Sequence, residues 1–557
     1  MKEKIIEQIK IALGNLGIEA ESILLEHPAD MKMGDYSTNV AMMYAKKLSI
    51  NPRELAEKIK TELENKIPEI EKIEVAGAGF INFYIKREFF ISEIKDAQNK
   101  DWGDTQVYKD KKILVEHSSP NLFKPFHIGH LMNNTIGESL TRLAKHSGAH
   151  VDTISFPSDI SLGVAKAIFV ILEKLDKDET YQWDDIVVLG NSYVEGTKRY
   201  DEDVSIHNRV KEIADNLYAQ KDSEEYRLFE LAKHFNISYF EQIVESLGSH
   251  FDSYIYESEA GTEGKKIVLE NTPKVFTESE GAVVYIPQEE SNLHTAVFIN
   301  SQGNPTYEAK DLGLLHLKFS IYNPDLSVFI TDGQQVSHFQ VVLDAAKNIN
   351  KNWSDKSFHK HHGRMTFKGQ KMSSRLGGVP IVEDILNVVI EDVKEKNPDI
   401  TDKAARQIGI GAIKFAILKN KAGMNIDFNP ETSLSFEGDS GPYLQYVVVR
   451  AGSLLEKGNS LGIKPNMENK VKGTENIEKI VARFTEVVKR SQTELAPHYL
   501  VTYLIELAQN FNSWYGQGKI IDDNVSDTAY RLFIVSATRN TIKNGLNLLG
   551  IQTPDKM

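Results

Sequence analysis

Two histidines three residues apart, His127 and His130, stand in the stretch SPNLFKPFHIGHL (119–131), directly after a turn rich in proline and lysine. A helix that starts there presents unpaired backbone N–H groups and a partial positive charge, so behind a strand it forms a phosphate site. His127 and His130 lie on one face at i,i+3, where imidazoles can donate hydrogen bonds to phosphate oxygens as charge develops. Gly129 has no side chain and would let a flat base approach the backbone, and Lys124 adds a mobile cation. The same pair could equally cap the helix or bind a metal, and these residues alone leave that open. A second cationic loop, FKGQKMSSRLGG (367–378), offers Lys368, Lys371 and Arg375 among small residues and glycines. Taken singly, such a loop also reads as solvated surface.

These groups need a scaffold, and the flanking sequence supplies one. KKILVEHSS (111–119) is an apolar β-rich run, a helix follows from His127 to His146 and stops at Gly148, and HVDTISF (150–156) is a strand again. That order predicts a right-handed βαβ crossover and the start of a doubly wound parallel sheet. Residues 175–255 are charged and helical in pattern and read as an insertion. Strand signals return in KIVLE, GAVVYI, TAVFI and LSVFIT. Residues 1–100 predict a small α+β domain, 110–385 the sheet domain, and 386–557 an all-α domain.

Composition narrows the chemistry. With 557 residues, 41% hydrophobic and 26% charged, the chain excludes a disordered reading and calls for several domains. It contains no cysteine, which excludes disulfides, a thiolate nucleophile and Cys-built zinc sites. A formal charge of -14 argues against broad nonspecific binding to nucleic acid, although a local basic groove remains compatible with it. The N-terminal helix pattern of Ile5, Ile6, Ile9 and Leu13 is interrupted by charges, so it reads as neither signal peptide nor membrane span, and a cytoplasmic location is expected.

Together, HIGH on the first βα turn and KMSSR after the last strand resemble the paired signatures of class I aminoacyl-tRNA synthetases. EHSSPNLFKPFHIGHLMNNTIGESL (116–140) is similar to the arginyl-tRNA synthetase version. GDYSTNVAM (34–42) and GFINFYI (79–85) resemble that family's N-terminal additional domain, which contacts the tRNA elbow. GPYLQYVVVRAG (441–452), PHYLVTYLIELAQNFNSWY (497–515) and RNTIKNGLNLLGIQTPDKM (539–557) resemble its helical anticodon-binding domain. The fold implied is a Rossmann-type α/β catalytic domain, with an α+β N-terminal domain and an all-α C-terminal one.

The resemblance further implies activation of L-arginine by ATP with Mg2+, then transfer to the 3′ end of the arginine tRNA. No zinc or other protein-bound metal, no membrane and a monomer are expected. His127, His130, Lys371 and Lys124 would be catalytic, and Gly129, His338, Met372 and Ser373 would bind ATP. Glu116, Asn121, Tyr307, Asp311 and Gln335 would form the arginine pocket; a guanidinium calls for planar, bidentate acceptors. PTYEAKDLGLLH puts Tyr307 and Asp311 at i,i+4 on one helical face, a spacing that a surface helix can also carry. Choosing Gln335 over its neighbour Gln334 in TDGQQVSHFQ is a matter of alignment. Tyr443, Tyr446, Arg450, Trp514 and Met557 would meet the anticodon, the rings by stacking. The sequence departs from the family where Ser374 replaces the second signature lysine, and in FPSDISLG (156–163), where only Asp159 is retained. Those departures keep a catalytically degenerate tRNA-binding paralogue, or another nucleotidyl transferase, as the alternative.

Overall fold

The computed structural model describes residues 1–367, 381–468 and 470–557. The chain packs as two compact units, the larger formed by residues 104–446, 489–502 and 545–557. At its centre five parallel strands, β1 (Lys112–Glu116), β2 (His150–Ser155), β3 (Ser253–Tyr254), β4 (Leu326–Asp332) and β5 (Ser357–His362), lie in the order β5-β4-β1-β2-β3. Ile113, Leu114 and Val115 are buried in succession, the pattern of a strand covered on both faces. From β1 the chain winds first to β2 and β3, then returns on the other side to β4 and β5. That reversal opens a crevice over the carboxyl ends of β1 and β4. Phe329 pairs in register with Glu116, so β1 ends while β4 runs on through Ile330, Thr331 and Asp332.

Between β2 and β3 lie four helices, Leu162–Lys177, Ile186–Glu202, His207–Tyr218 and Glu224–Ser246. The insertion thus starts earlier than its charged segment suggests, because LGVAKAIFVILEK is apolar enough to serve as its central helix. Ile168, Leu189, Ile213 and Phe229 form its core, joined by Leu122 and Phe123 from the turn before His127. The strand expected at KIVLE is instead the last turn of helix α2 (Glu257–Glu270), where Ala260, Gly264, Ile267 and Val268 are buried at helical spacing. Tertiary packing overrides the β propensity of Ile-Val-Leu. GAVVYI and TAVFI form strands of a separate antiparallel sheet with Thr277–Ser279, outside the parallel one.

Helix α2 packs on the helix that carries Tyr307 and Asp311, α3 (Tyr307–Ile321), almost backbone to backbone. A Cβ on Gly264 would lie 1.8 Å from the Ala309 carbonyl oxygen, and one on Gly313 would lie 1.9 Å from that of Ala260. A buried Glu257–Lys310 ion pair joins the same two helices. This contact fixes the height of α3 over the crevice.

The second unit comprises residues 1–103, 447–488 and 503–544, so the N-terminal segment and most of the helical tail share one packed body. Its antiparallel sheet orders Tyr36–Thr38, Phe80–Ile85 and Ile70–Ala76 with the middle strand central. Asp35 is buried, accepts the Ile85 N–H at 2.7 Å and pairs with Lys479 at 2.8 Å. Arg87 donates to buried Glu478 at 2.7 Å, and Tyr530 donates to the same carboxylate at 2.8 Å.

The α2–α3 contact makes a prediction. Gly313→Ala should overpack this interface and cost about 1–3 kcal/mol or more, read as a lower urea midpoint. Gly14→Ala, in the helix Lys2–Asn15 with nothing within 4 Å of its added Cβ, should gain roughly 0.5–1 kcal/mol. Equal midpoints for the two variants would contradict the close approach.

Candidate active site

Helix α1 (Ile128–Lys145) begins directly behind β1 with His127 as its N-cap. The Gly129 N–H donates to His127 Nδ1 at 3.1 Å, and the His127 N–H donates to His130 Nδ1 at 3.2 Å. Each imidazole therefore satisfies one of the otherwise orphaned N–H groups of the helix start. The two rings stack with centroids 3.7 Å apart. Because both Nδ1 atoms accept, the neutral rings carry their proton on Nε2, which is left to donate. Burial pushes both imidazoles below their ordinary range; Lys124 adds to the shift of His127, and His127 and His362 add to that of His130. A Cβ on Gly129 would lie 3.0 Å from His127 Cε1, so the glycine protects the cap. The pair is thus a cap and still offers two donors.

The turn leading to it is held from several sides. Ser118 and Phe123 both adopt positive φ, at 58° and 64°. The Ser118 N–H donates to Asn133 Oδ1 at 2.8 Å, while Asn133 Nδ2 donates to the Ile330 carbonyl at 2.7 Å, tying the turn and α1 to β4. From the insertion, Asn236 Oδ1 accepts the Phe123 N–H at 3.0 Å. Lys124 Nζ sits 4.3 Å from the centre of the Tyr193 ring, and Asn121 is exposed beside a bridge to Ser158. Asp159 is fully buried and taken by Lys233 at 2.9 Å and by the Ser258 hydroxyl at 2.8 Å, so it joins the insertion to α2.

Lys368, Lys371, Met372, Ser373, Ser374 and Arg375 lie outside the described residues. Their flanks are placed. Met365–Phe367 pairs in parallel with Ile426–Phe428, and at the far end Ile381 bridges His127 while the Val382 N–H donates to the Phe126 carbonyl at 2.8 Å. The flank at Ile381 and Val382 therefore lies against the start of the first signature. His362, at the end of β5, adds a third buried imidazole within electrostatic reach of the other two.

Glu116 and Asp311 line one small cavity, about 10 Å³, together with Lys318, Phe329 and Phe339. Each carboxylate already holds a cation. Glu116 pairs with Lys318 of α3, both buried, and Asp311 accepts from His338 Nε2 at 2.5 Å. His338 Nδ1 lies 3.5 Å from Glu308. Burial opposes the charge on His338, but hydrogen bonds to Asp311 and Glu308 outweigh it and raise its pKa to about 9. His338, expected beside ATP, lies between two acids of α3, Asp311 and Glu308. Gln335 is exposed at the start of the helix Val336–Ile349, one turn before His338, and Tyr307 is 69% exposed. Lys318 escaped the sequence reading although it follows Asp311 by two helical turns; Glu308, Asn133 and His362 also escaped it.

Among the residues expected at the anticodon, Tyr443 is only 8% exposed, which leaves its ring little area for a base. Tyr446 is half-buried against Phe436, with ring centres 6.2 Å apart. Arg450 donates to Asn512 at 2.9 Å and lies 5.2 Å over the Tyr515 ring, next to half-buried Trp514. Met557 lines a cavity of about 450 Å³ with Asn397, Thr401, Lys403 and Asp555.

A family model for the catalytic domain of class I (R) tRNA synthetases matches residues 93–429, a DALR anticodon-binding model residues 444–557, and an arginyl-tRNA synthetase N-terminal model residues 2–85. The arginine–tRNA ligase of Clostridium perfringens is 32% identical over the whole of both chains; that of Halothermothrix orenii is 29% identical over all of this chain and 99% of its own. Thermus thermophilus arginyl-tRNA synthetase superposes with a TM-score of 0.81 at 25% identity, over all of both chains. The Plasmodium falciparum enzyme shares the fold, with a TM-score of 0.83 at 20% identity over all of this chain and 99% of its own. The paired signatures on a doubly wound parallel sheet, with these matches, define a class I aminoacyl-tRNA synthetase. Within that class the chain belongs to the arginine–tRNA ligase family.

The His338–Asp311 pair gives a pH prediction. A raised pKa means that the pair's stabilisation is whole below the ordinary value of 6.5 and is lost as pH rises through about 9. The stability difference between wild type and His338→Gln should shrink across that window in urea unfolding. A difference that stays constant across it would show that His338 is uncharged.

Proposed function

We propose that Asp311 receives the guanidinium of L-arginine in exchange for the His338 cation, with Glu116 and its Lys318 partner beside it, while the α1 start binds ATP. The chain is an ATP-dependent ligase of class I that joins arginine to its tRNA. The observation that carries the assignment of the pocket is that buried Glu116 and half-buried Asp311 face one cavity and each is matched to a cation of this chain. A buried acid without a partner is costly, so a resting pocket for a cationic substrate holds a surrogate.

In the first step the arginine carboxylate attacks the α-phosphate of ATP and pyrophosphate leaves. Nε2–H of His127 and of His130 donate to the phosphate oxygens that gain charge, and Lys124 adds a cation. Gly129 keeps the helix start open to the nucleotide. Mg2+ would accompany ATP and supply counter-charge for its phosphates. Lys371, Met372 and Ser373 are assigned to the remaining phosphate contacts on family resemblance. Asn121, Gln335 and Tyr307 are exposed polar groups around the same crevice and are assigned to the substrate's α-amino group and stem. In the second step the terminal ribose hydroxyl of the tRNA attacks the adenylate carbonyl and AMP departs. Tyr446, Arg450, Trp514 and Met557 are assigned to the anticodon on family resemblance.

Arginine binding should release a proton. Displaced from Asp311, His338 falls from about 9 toward its ordinary 6.5, so it deprotonates at pH values between the two. Calorimetry in buffers of differing ionisation enthalpy should report close to one proton released midway in that window and none in Asp311→Asn. Zero release in wild type would contradict the exchange of cations. Separately, His127→Ala or His130→Ala should slow ATP–pyrophosphate exchange roughly 10²–10³-fold while leaving tRNA affinity unchanged. Exchange with no amino acid under any condition, in the presence of tRNA, would sink the enzyme reading.

A further inference from the structure

A basic cluster on the larger unit has no part in the scheme above. Lys360 lies on β5, the edge strand of the parallel sheet, two residues before His362. It is half-buried with its Nζ 5.9 Å from the Phe358 ring, and burial together with Lys421 pulls its ammonium below the ordinary lysine range. Lys421 comes from a segment pressed against the same strand: a Cβ on Gly423 would lie 2.8 Å from His361 Nε2, and the Ile426 N–H donates to the Arg364 carbonyl at 2.8 Å. Beside them, the Arg490 guanidinium lies 3.8 Å over the Tyr499 ring, and His498 packs on that ring at 4.2 Å. Burial, then Lys360 and Lys421, hold His498 below its ordinary range. One acid stands among them: Glu494, bonded to Arg490 at 2.9 Å. Among the described residues, Lys360 and Lys421 have no carboxylate within ion-pair distance.

A half-buried lysine with no carboxylate at ion-pair distance, beside a second lysine and a stacked guanidinium and sharing one acid, Glu494, with them, has more cation than the local acid balances, and an anion would complete it. The chain carries a net charge of -14, so this local excess of cations is not general surface composition. We propose that Lys360, Lys421, Arg490, His498 and Tyr499 form a contact for the sugar–phosphate backbone of the tRNA alongside the catalytic sheet. The proposal rests on the tRNA-charging function above. Ammonium groups are point charges that neutralise phosphates without reading bases, and the rings of the Arg490–Tyr499–His498 group are already stacked among themselves. The contact therefore supplies affinity and register and carries no sequence information.

The test is the salt dependence of uncharged arginine-tRNA binding to the full chain, for wild type and for Lys360→Gln, Lys421→Gln and Arg490→Gln. Removing one phosphate-neutralising cation should flatten the log–log slope by about 0.7–0.9, taking a factor of about 3 from the affinity change between about 50 and 200 mM salt. Lys421→Arg should restore the slope, and the arginine concentration dependence of charging should not move. Lys421 and Arg490 are exposed, so their variants carry the test even where Lys360→Gln disturbs folding. Unchanged slope and affinity in Lys421→Gln and Arg490→Gln, with wild type binding tRNA, would overturn this inference alone. Absence of tRNA binding by wild type would instead overturn the reading on which it rests.

Discussion

Two imidazole Nδ1 atoms each accept one backbone N–H at the start of α1, and the catalytic side of the molecule is built around that exchange. A buried helix start needs partners for its N–H groups, and a carboxylate cap satisfies them without leaving a donor for a ligand. An imidazole does both: one nitrogen accepts from the helix and the other donates outward. The arrangement works only while the rings are neutral, and burial together with neighbouring cations keeps them so. Gly129 leaves room for the ring, Asn133 and Asn236 hold the turn that delivers it, and Ile381 forms a bridge to His127 itself.

The acids of the crevice follow a related logic. Glu116 and Asp311 would be poor neighbours as bare buried charges, since removing one partner of a desolvated pair costs about 3–5 kcal/mol. Lys318 and His338 neutralise them in the free chain. The close α2–α3 crossing sets where Asp311 and Lys318 meet the end of β1, and so links two glycines remote from the chemistry to the shape of the pocket.

Much of this is legible in the sequence. The strand–turn–helix around His127, the carboxyl-end position of Glu116 and the i,i+4 pair Tyr307/Asp311 follow from local patterns that tertiary structure preserves. KIVLE misleads because a short apolar run fits a strand and a buried helical turn equally. The partners of His338, Asp311 and Glu308, come from another helix and are not legible in its own stretch of sequence. Lys318 does carry a signal, a helical spacing of two turns from Asp311. Tyr443 shares a face with polar neighbours in sequence, and only packing shows it buried. Asp159 reads as a remnant of a catalytic strand end, whereas its bonds to Lys233 and Ser258 make it a tie between the insertion and α2.

The claim on which most depends is the protonation state of the signature histidines. Long-range ¹H–¹⁵N spectra of the imidazoles, assigned with His127→Gln and His130→Gln, read the tautomer and charge of each ring directly. At neutral pH both should show a protonated Nε2 and a bare Nδ1, with titration displaced below the ordinary value of 6.5. A doubly protonated ring at neutral pH, or the opposite tautomer in either residue, would contradict the capping arrangement and the donors derived from it.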